Sequence, residues 1–523
     1  MIRGFRQIAG LTFISRILGM LRDMVFAYFF GADWLMTAWT MGFKIPNLAR
    51  RLFGEGAASA SVIPIYSEEL EKDPDAARRL ARSVVTVLTV FLTGVMLLAE
   101  LLIVVYALVF SPNEGTRLGL HLAAIMMPFM VCICVAAVIS GLLNVHRHFL
   151  APAAVPIVLN VVIIASSFFG GLMLDFPPER QVYAVAVGVV IAGFLQISMQ
   201  IGPLRKHGLV LRPLWETHSP AFRRILLLMG PMVLGLTVTQ INTLADDLIA
   251  LTFSNDQGQP LQWGSVSFLY YAQRLYQFPL GVLGISLATA IFPELSSEAA
   301  KGNYNRMMQV VSRGLRMSIF VAVPATVGLI LTARPLIAVL FERGRFTAED
   351  TASTAWTLSF YAIGLCGFFS QQILIRAFYS TKDSKVPAIT AAGAVVVNVI
   401  LNLVLIWPLG TGGLALSTAV CSYLQVMALM IVLKKKHPVE MMEGLRTTIV
   451  KTGVATAVMT GAGIGVITLM GPTPVSLKYD LIRTGALVVV CAGVYTGVSA
   501  VLKSEMLMLL IGRRKRKAEI FEN

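Results

Sequence analysis

Charged side chains interrupt three of the most apolar stretches of the sequence. In the first, IAGLTFISRILGMLRDMVFAYFF, Arg16 and Asp23 share one face of a helix and Arg22 lies about a third of a turn away. Placing one such charge in a bilayer costs about 2.5 to 3.5 kcal/mol on insertion scales, so intramembrane charges usually face a wet cavity or a charged partner. We therefore expect this face to line a polar path and not to contact lipid.

The second stretch, WTMGFKIPNLARRLFGEGAASASVIP, carries its charges at helical spacing. Lys44 and Arg51 fall on one face, and Glu55 follows one turn further. Arg50 lies on the adjacent stripe of the same helix. Pro46 removes a backbone donor and clashes with the preceding turn, so we expect a kink beside these cations.

The third stretch, VSFLYYAQRLYQFPLGVLGISLATAIFP, has one cation among polar and aromatic neighbours. Arg274 follows Tyr270 by one helical turn. Gln273 and Gln277 lie close by, and Pro279 is a second helix breaker. This stretch is a third candidate for the polar path.

Cations outnumber acids in these stretches. The cations are Arg16, Arg22, Lys44, Arg50, Arg51 and Arg274, and the acids are Asp23 and Glu55. Any one cation could instead reach a lipid headgroup or pair with an acid, and for Arg51 we favour pairing with Glu55. The excess still requires an anion, and guanidinium groups match phosphate oxygens in bidentate geometry. The stretches therefore predict a phosphate or diphosphate ligand.

A second polar cluster consists of oxygen-bearing side chains in apolar helices. Its members are Asp246, Asn398, Asn402 and Thr418. Such a set could hold a monovalent cation such as Na⁺. Hydrogen bonds between helices are the more common use of these side chains, so both interpretations stay open.

The composition indicates which elements must position these side chains. The chain has 523 residues, of which 56% are hydrophobic and 14% charged, and a mean hydropathy of +0.75, which is typical of an integral membrane protein. We predict an all-α polytopic membrane protein with about fourteen transmembrane helices. The predicted spans are 8–31, 34–64, 82–109, 119–145, 151–174, 181–202, 222–253, 265–293, 314–341, 352–379, 386–407, 411–433, 447–471 and 480–502.

Basic residues are concentrated in alternate breaks between these spans. Breaks such as EKDPDAARRLAR and KKKHPVEMMEGLR alternate with nearly uncharged ones such as GADW and WPLGTGG. The basic breaks and both termini are therefore predicted to be cytoplasmic. The net charge of +15 includes the C-terminal run RRKRK, which is typical of an anchor on anionic lipid headgroups. No nucleic-acid recognition motif accompanies the charge, so we predict no nucleic-acid partner.

Two segments of the sequence resemble each other. AASASVIPIYSEE at 57–69 aligns with SLATAIFPELSSE at 286–298, an offset of 229 residues. That offset contains six spans, so we predict two six-helix lobes in a pseudo-twofold arrangement, followed by two further helices. The predicted domains are 1–215 for the N-terminal lobe, 216–440 for the C-terminal lobe, 441–505 for the last two helices and 506–523 for a basic cytoplasmic tail.

The sequence lacks motifs for catalysis or for a transition metal. The five cysteines lie in apolar runs, and the six histidines have no metal-ligand spacing. No GxxxxGK[S/T] loop is present, and GAGIGV at 461–466 lacks the strand of a dinucleotide site. We therefore predict a transporter without an organic cofactor, driven by a gradient, by the membrane potential or by downhill flow of its substrate.

Several long motifs extend over almost the whole chain. They are SRILGMLRDMVFAYFFGA, FKIPNLARRLFGEGAASASVIPIYSEE, FLYYAQRLYQFPLGVLGISLATAIFPELS, FERGRFTAEDT and AFYSTKDSKVPAITAAGAVVVNVILNLVLI. Together they closely resemble the MurJ/MviN family, the lipid II flippases of bacterial peptidoglycan synthesis within the MOP exporter superfamily. The resemblance implies a fourteen-helix, V-shaped protein of the bacterial cytoplasmic (inner) membrane. It also implies a cationic cavity between the lobes and a groove for the polyprenyl tail along the last two helices.

The resemblance assigns roles to residues that the charge pattern had singled out. The family's functional arginines correspond to Arg16 and Arg22 in SRxLGxxRD, Arg50 in KIPNLARR and Arg274 in YYAxRL. The candidate substrate-binding set is Arg16, Arg22, Arg50, Arg274, Lys44, Ser15 and Asn47. The candidate gating or charge-pairing set is Asp23, Arg51, Glu55, Gln273 and Gln277.

The chain departs from the family pattern at three positions. Family members often have an acid where this chain has Ala38, and another where it has Gln273. Without these acids the cavity gains net positive charge. Asn402 corresponds to a cation ligand of the family, a position at which an acid can occur.

These observations favour a lipid II flippase that works by alternating access, with the diphosphate held by cavity arginines and assistance from the membrane potential. Expected partners are lipid II, membrane lipids and the cell-wall synthesis machinery. Three alternatives remain: an exporter of drugs or of another polyprenyl-linked saccharide, a non-transporting scaffold for cell-wall synthases, and an enzyme acting on polyprenyl diphosphates. For the enzyme, Asp23 and Glu55 would be poor catalytic groups.

Overall fold

A computed structural model describes most of the chain. The described residues are 2–110, 112–255, 257–438, 444–471 and 476–511. Within them, the side chains of residues 2–9, 55–60, 231, 234–236 and 238–239 are not described. Apart from one short pairing of two strands, the regular elements of the described part are helices, which confirms the predicted all-α class. The basic run 513–517 lies outside the described residues.

The chain divides into two compact units. Unit 1 comprises Met1–Ile241 and Arg343–Phe346, and unit 2 comprises Asn242–Glu342 and Thr347–Asn523. The predicted domain limits at 215, 440 and 505 stay a prediction.

Unit 1 is built from long helices. In chain order its elements are α1 (Ile2–Phe30), α2 (Trp34–Ala49), the π-helix π1 (Arg50–Ala58), α3 (Ser59–Lys72), α4 (Pro74–Phe110), α5 (Glu114–Val145), α6 (Leu150–Phe168), π2 (Phe169–Met173), α7 (Pro178–Lys206) and α8 (Pro220–Thr252). The residues of α8 from Asn242 onward belong to unit 2.

Unit 2 is also built mainly from long helices. Its elements are β1 (Ser254–Asn255), β2 (Leu261–Gln262), α9 (Ser265–Pro279), π3 (Leu280–Gly284), α10 (Ile285–Ala300), α11 (Tyr304–Phe341), α12 (Ala348–Ile363), α13 (Leu365–Ser380), α14 (Lys385–Leu409), α15 (Thr411–Lys436), α16 (Leu445–Met470), α17 (Leu477–Val501) and α18 (Glu505–Leu510). Helices α16 and α17 pack against α11, where Tyr495 donates its hydroxyl to the Phe320 carbonyl at 2.5 Å.

Ten helical segments in the described part of the chain are long and apolar enough to cross a membrane. The number becomes eleven if α12 and α13, which are bent by 42° at their junction, form one span. The three other predicted spans coincide with α1, with α2 to α3, and with α8. Charges in the middle of α1 and the π-helical break after α2 lower the apolar character of the first two. The exact count of fourteen stays a prediction.

Both halves of the internal repeat contain a π-helix at the corresponding place. Shifted by the 229-residue repeat, π1 begins at position 279, and π3 begins at Leu280. A proline lies shortly before each break, Pro46 within α2 and Pro279 at the end of α9. π-helical turns are uncommon and often occur at functional sites. The repeat is therefore visible in the local backbone as well as in the sequence.

Close packing of α2 and π1 against α5 positions the start of π1. A Cβ on Gly42 would lie 3.0 Å from the carbonyl oxygen of Gly119, and a Cβ on Gly54 would lie 3.2 Å from Ala137 Cβ. Cys134 Sγ donates to the Ala49 carbonyl at 3.5 Å. Since these contacts flank residue 50 on both sides, the backbone that carries its side chain is fixed against α5.

Residues 343–346 form a clasp on the end of α1 within unit 1. The Arg345 amide donates to the Tyr28 carbonyl at 3.0 Å, and the Arg345 guanidinium pairs with Asp33 Oδ2 at 2.9 Å. Gly31 and Gly344 both have positive φ, 65° and 62°. A Cβ on Gly344 would lie 2.2 Å from the Tyr28 carbonyl oxygen, so the backbone approach requires glycine there.

Two helices of unit 1 end on stacked histidines. His146 caps α5 and His207 caps α7, and their rings lie 4.8 Å apart at 18°. His146 Nε2 and the Tyr66 hydroxyl are 2.8 Å apart. Burial, with smaller contributions from His207 and Arg78, lowers the pKa of His146. The rings therefore pack best when His146 is neutral.

Candidate functional site

The charged face of α1 is tied to α6. Arg22 Nη2 and Nε donate to Asp23 Oδ1 at 2.7 and 3.0 Å, and Nη1 donates to Asn160 Oδ1 at 3.1 Å. Asn160 Nδ2 in turn donates to the Ser15 carbonyl at 3.3 Å. Asp23 is only 2% exposed. The Arg22 charge thus has an adjacent, buried carboxylate, and the group holds α1 and α6 in a fixed register.

Arg16 and Arg50 line one cavity of unit 1, with a volume of about 450 Å³. Polar groups at its wall include Ser15, Ser140 and Asn144. Arg16 is exposed, and its guanidinium has no hydrogen-bond or ion-pair partner in the part of the chain that the structure describes. Two cationic side chains predicted from sequence are therefore brought to one cavity together with Ser15.

Arg50 is the first residue of π1, and its orientation depends on α2. Its Nε donates to Asn47 Oδ1 at 2.8 Å, and its backbone N–H donates to the carbonyls of Asn47 and Pro46. Helix α2 continues through Pro46 as far as Ala49, and the change to π-helical geometry follows. A neutral acceptor thus orients the guanidinium without itself adding an opposite charge.

Lys44 and Arg51 are not among the described residues that line this cavity. Arg51 is exposed and donates from Nη1 to Gln240 Oε1 at 3.1 Å. Lys44 is half-buried on α2. The Glu55 side chain lies outside the described residues, so the predicted pair of Arg51 with Glu55 stays a prediction.

The third charged stretch forms α9 in unit 2. Arg274 Cζ lies 4.8 Å from the centre of the Tyr270 ring, and Nη2 donates to the Tyr270 hydroxyl at 3.4 Å. Gln273 Nε2 donates to the Tyr361 hydroxyl at 3.1 Å, and Gln277 is exposed. Arg274 is therefore held by an aromatic ring at its own helix.

The oxygen-rich cluster predicted from sequence is assembled in unit 2. Asn402 Nδ2 donates to Asp246 Oδ1 at 2.6 Å, and Thr418 Oγ1 donates to Asp246 Oδ2 at 3.3 Å. Asn402 Nδ2 also donates to Asn398 Oδ1 at 3.0 Å, and Asn398 Nδ2 donates to Thr418 Oγ1 at 3.3 Å. The set therefore links α8, α14 and α15 through hydrogen bonds.

The same cluster has oxygen atoms suited to a monovalent cation. Asn402 Oδ1 is buried without a hydrogen-bond partner in the described part of the chain. It lies on the same side chain that contacts the Asp246 carboxylate, and Thr418 supplies a hydroxyl oxygen. A carboxylate, a carbonyl and a hydroxyl fit the hard oxygen ligands of Na⁺. Groups of three or more His, Cys, Asp or Glu that could hold a metal do not occur among the described residues.

Asn160 is a site residue that the charge pattern of the sequence did not predict. It is the one amide in the apolar run LAPAAVPIVLNVVIIASSF of α6, and an amide in such a run normally has a partner. That signal could have identified it, although the partner, Arg22, is 138 residues away.

The family profile described as Lipid II flippase MurJ matches residues 26–481. The protein named Lipid II flippase MurJ from Burkholderia cenocepacia is 33% identical over 446 residues, which cover 83% of this chain and 84% of the relative. A probable lipid II flippase MurJ from Vibrio cholerae is 32% identical over 468 residues, 87% of each chain.

Solved structures give the same result for the fold. A structure titled Lipid II flippase MurJ, inward closed conformation, superposes with a TM-score of 0.78 at 25% identity, over 96% of this chain and 99% of that one. A multidrug resistance MATE family transporter of the MOP superfamily, in an inward-facing conformation, superposes with a TM-score of 0.62 at 13% identity. This match covers 81% of this chain and 94% of the transporter, and it concerns the fold alone.

Proposed function

The chain belongs to the MurJ family of lipid II flippases, and we propose that the cavity of unit 1 that Arg16 and Arg50 line receives the diphosphate of lipid II. The observation that carries the proposal is the convergence of these two guanidinium groups on a space of about 450 Å³. Guanidinium groups bind phosphate oxygens through two parallel hydrogen bonds, and charge-assisted bonds of this kind are roughly twice as strong as neutral ones.

Neighbouring residues support the two arginines in different ways. Asn47 orients Arg50 with a neutral oxygen. Arg22, which is bonded to Asp23 and Asn160, positions the part of α1 that carries Arg16. Arg22, Lys44 and Arg274 remain predicted contacts of the headgroup.

Transport by alternating access explains how a polar headgroup crosses the membrane. The headgroup enters the cavity from the cytoplasmic side and leaves on the periplasmic side, while the polyprenyl tail stays in lipid. Support comes from the π-helical breaks π1 and π3 at corresponding places of the repeat, since such breaks allow helices to change shape at functional sites.

The membrane potential supplies a direction for this cycle. Moving one elementary charge through a potential of 100 mV changes its free energy by about 2.3 kcal/mol. With a negative cell interior, an anionic headgroup is driven outward, and the same field draws an empty cationic cavity back toward the inward-facing state. We propose that the potential assists both halves of the cycle. Unchanged headgroup translocation after collapse of the potential, at a constant pH gradient, would contradict this.

The proposed location is the bacterial cytoplasmic membrane with both termini in the cytoplasm. The lopsided distribution of lysine and arginine supports this orientation. In that position the chain would contact membrane lipids and could receive its cargo beside the cell-wall synthesis machinery. That machinery remains a proposed partner.

We further propose that the cluster around Asp246 holds a monovalent cation, with Na⁺ as the candidate. Asp246, Thr418 and Asn402 would be its ligands, because the Asn402 oxygen is buried without a hydrogen-bond partner in the described part of the chain. A bound cation would balance the buried carboxylate and fix the mutual positions of the three helices. Asn398 would hold Thr418 in position by donating from Nδ2 to its hydroxyl oxygen.

The central experiment replaces Arg50 in a strain depleted of its own essential flippase. Arg50→Ala removes a charge-assisted bond worth about 1.5 to 3 kcal/mol, so lipid II should accumulate and stay inaccessible on the periplasmic face. Arg306→Ala is the matched control, since it removes an exposed arginine that donates to Gln309 and does not line the cavity.

The outcomes of this experiment separate the candidate functions. Normal lipid II exposure with Arg50→Ala would remove Arg50 from the binding site. Failure of the native chain to restore exposure, together with altered drug tolerance, would favour an exporter of other cargo. Normal wall growth with the Arg50→Ala variant but not without the chain would favour a scaffold. Thermal unfolding of the purified variants establishes that both fold.

A further inference from the structure

A pocket of about 370 Å³ lies at one end of unit 2 and is lined by neutral groups. It is formed where β2, the start of α9, the first turns of α12 and the junction of α14 with α15 meet. None of the described residues that line it carries a charge. The basic residues of the sequence place this end on the periplasmic side of the predicted topology.

Trp356 lines the pocket and is held in one orientation although it is 50% exposed. Its Nε1 donates to the Leu409 carbonyl at 3.0 Å, and its ring packs edge to face on Phe360 with centroids 4.8 Å apart. A Cβ on Gly412 would lie 2.6 Å from Trp356 Nε1, so the glycine makes room for the indole. An exposed aromatic ring is thus restrained on its buried sides and open toward the pocket.

Neutral hydrogen-bonding groups lie beside this ring. Gln262 Nε2 donates to Ser353 Oγ at 3.2 Å, and both residues line the pocket. Gln262 Oε1 has no hydrogen-bond partner in the part of the chain that the structure describes. The Ser353 hydroxyl can still donate its own hydrogen. The pocket therefore offers one acceptor and one donor, both uncharged.

We propose that this pocket binds a neutral saccharide. The C–H face of a pyranose is weakly positive and packs on the negative face of an aromatic ring, for which Trp356 provides a fixed platform. Sugar hydroxyls donate to Gln262 Oε1 and accept from Ser353. A charged ligand would lose its hydration without gaining an ionic partner, which is costly. The inference rests on the proposed function, because the cargo's headgroup carries saccharide units that must leave on this side.

Direct binding to the purified full chain tests the proposal. The probe is N,N′-diacetylchitobiose, a neutral disaccharide, titrated into the chain in lipid nanodiscs without lipid II and followed by ligand-observed NMR. Glucuronic acid serves as the charged comparison. We expect saturable binding of the disaccharide, and loss of the platform in Trp356→Ala should weaken it about tenfold. Trp407→Ala is the matched control, because Trp407 is also exposed, at 65%, and does not line the pocket.

A second variant keeps the test decisive if Trp356→Ala does not fold. Gln262→Leu retains the size of the side chain and removes the acceptor, so binding should weaken about fivefold, the effect of one neutral hydrogen bond. No saturable binding by the native chain would overturn the proposal. An equal loss with Trp407→Ala, or equal binding of glucuronic acid, would do so as well.

The experiments test the proposed function and the saccharide pocket independently. Lipid II exposure that depends on Arg50, together with no disaccharide binding, would leave the flippase proposal intact and remove the saccharide pocket. The opposite result is also possible: the chain binds the disaccharide, but its lipid II exposure does not depend on Arg50. That result would support the saccharide site and contradict the assignment of the arginine cavity to the diphosphate.

Discussion

Arg50 Nε donates to Asn47 Oδ1 at 2.8 Å across the junction of α2 and π1. The acceptor is an amide, whereas the corresponding acceptor of Arg22 in α1 is the carboxylate of Asp23. Asn47 and Asp23 thus offer the two arginines acceptors of different charge. Asn47 fixes the direction of a guanidinium at the wall of the cavity, and Asp23 balances the charge of one that is nearly buried.

This arrangement predicts a larger defect for an acid than for alanine at position 47. Asn47→Ala removes one orienting hydrogen bond, worth about 0.5 to 1.5 kcal/mol, and should lower the rate of lipid II exposure about two- to tenfold. Asn47→Asp retains an acceptor but adds a negative charge in the proposed diphosphate path, so it should impair exposure more than alanine does. The measurement is periplasmic accessibility of lipid II in a flippase-depleted strain. Asn47→Asp with native activity would contradict the anion site.

The buried pair of Arg22 and Asp23 should matter for stability. Removing one partner of a buried pair leaves an uncompensated charge and typically costs about 3 to 5 kcal/mol. Asp23→Asn should therefore lower the unfolding midpoint of the purified chain clearly. Asp75→Asn is the control, because the ion pair of Asp75 with Arg78 is exposed and such pairs contribute about 0 to 1 kcal/mol. Similar midpoints for the two variants would show that the Arg22 pair contributes little.

The sequence was enough to name Arg16 and Arg50 as candidates for a polar wall, because a charge in an apolar helix is costly in lipid. The same signal also named Arg22 and Lys44, which are not among the described residues that line the cavity of unit 1. The sequence also predicted the members of the Asp246 cluster. In each case the signal was local, namely a charged or polar residue within an apolar helix. The all-α class followed in the same way from the apolar runs.

Partners distant in sequence could not be obtained from such local signals. Helical spacing placed Asp23 with Arg16, yet its ionic partner is the adjacent Arg22, which also contacts Asn160 on α6. Adjacent residues normally do not face each other on a helix, but the long arginine side chain bends back to reach the carboxylate. The π-helical breaks could not be predicted from the sequence either, since a proline indicates that a helix is distorted but does not specify the geometry of the distortion.

The stacked histidines at the ends of α5 and α7 predict a pH dependence of stability. The pKa of His146 is lowered in the folded chain, mainly by burial, so the unfolded chain binds more protons near the ordinary value of about 6.5. Stability should be complete above that pH and should fall as the pH decreases through it toward the lowered pKa. The groups that face His146 are Tyr66, His207 and Arg78. Thermal unfolding between pH 8 and pH 5 measures the effect.

His207→Phe should reduce this pH dependence, because it keeps an aromatic ring beside His146 and removes the imidazole that helps to lower the pKa of His146. His121→Phe makes the same replacement on a histidine whose contact is Tyr183, and it should leave the pH profile as in the native chain. A profile that is flat in the native chain would exclude a contribution from the pair.

A bound Na⁺ at the Asp246 cluster should stabilise the folded chain by mass action. A ligand at one hundred times its dissociation constant adds about 2.7 kcal/mol. Replacing choline chloride by NaCl at constant ionic strength should therefore raise the unfolding midpoint. Asn402→Leu removes the buried oxygen and should abolish this increase, while Asn255→Ala, at the half-buried Asn255 outside the cluster, should not. Equal midpoints in both salts would favour the hydrogen-bonded interpretation of the cluster.

The clasp of residues 343–346 on α1 should depend on a single glycine. Gly344 has positive φ, and any Cβ there would meet the Tyr28 carbonyl oxygen, so Gly344→Ala should push the segment away from Asp33. Hydrogen exchange of the Arg345 amide, which donates to the Tyr28 carbonyl, reports this displacement and should be faster in the alanine variant. Gly302→Ala is the control, because Gly302 has a similar φ of 69° but open space around it. Equal exchange rates in both variants would mean that the close backbone approach does not hold the clasp.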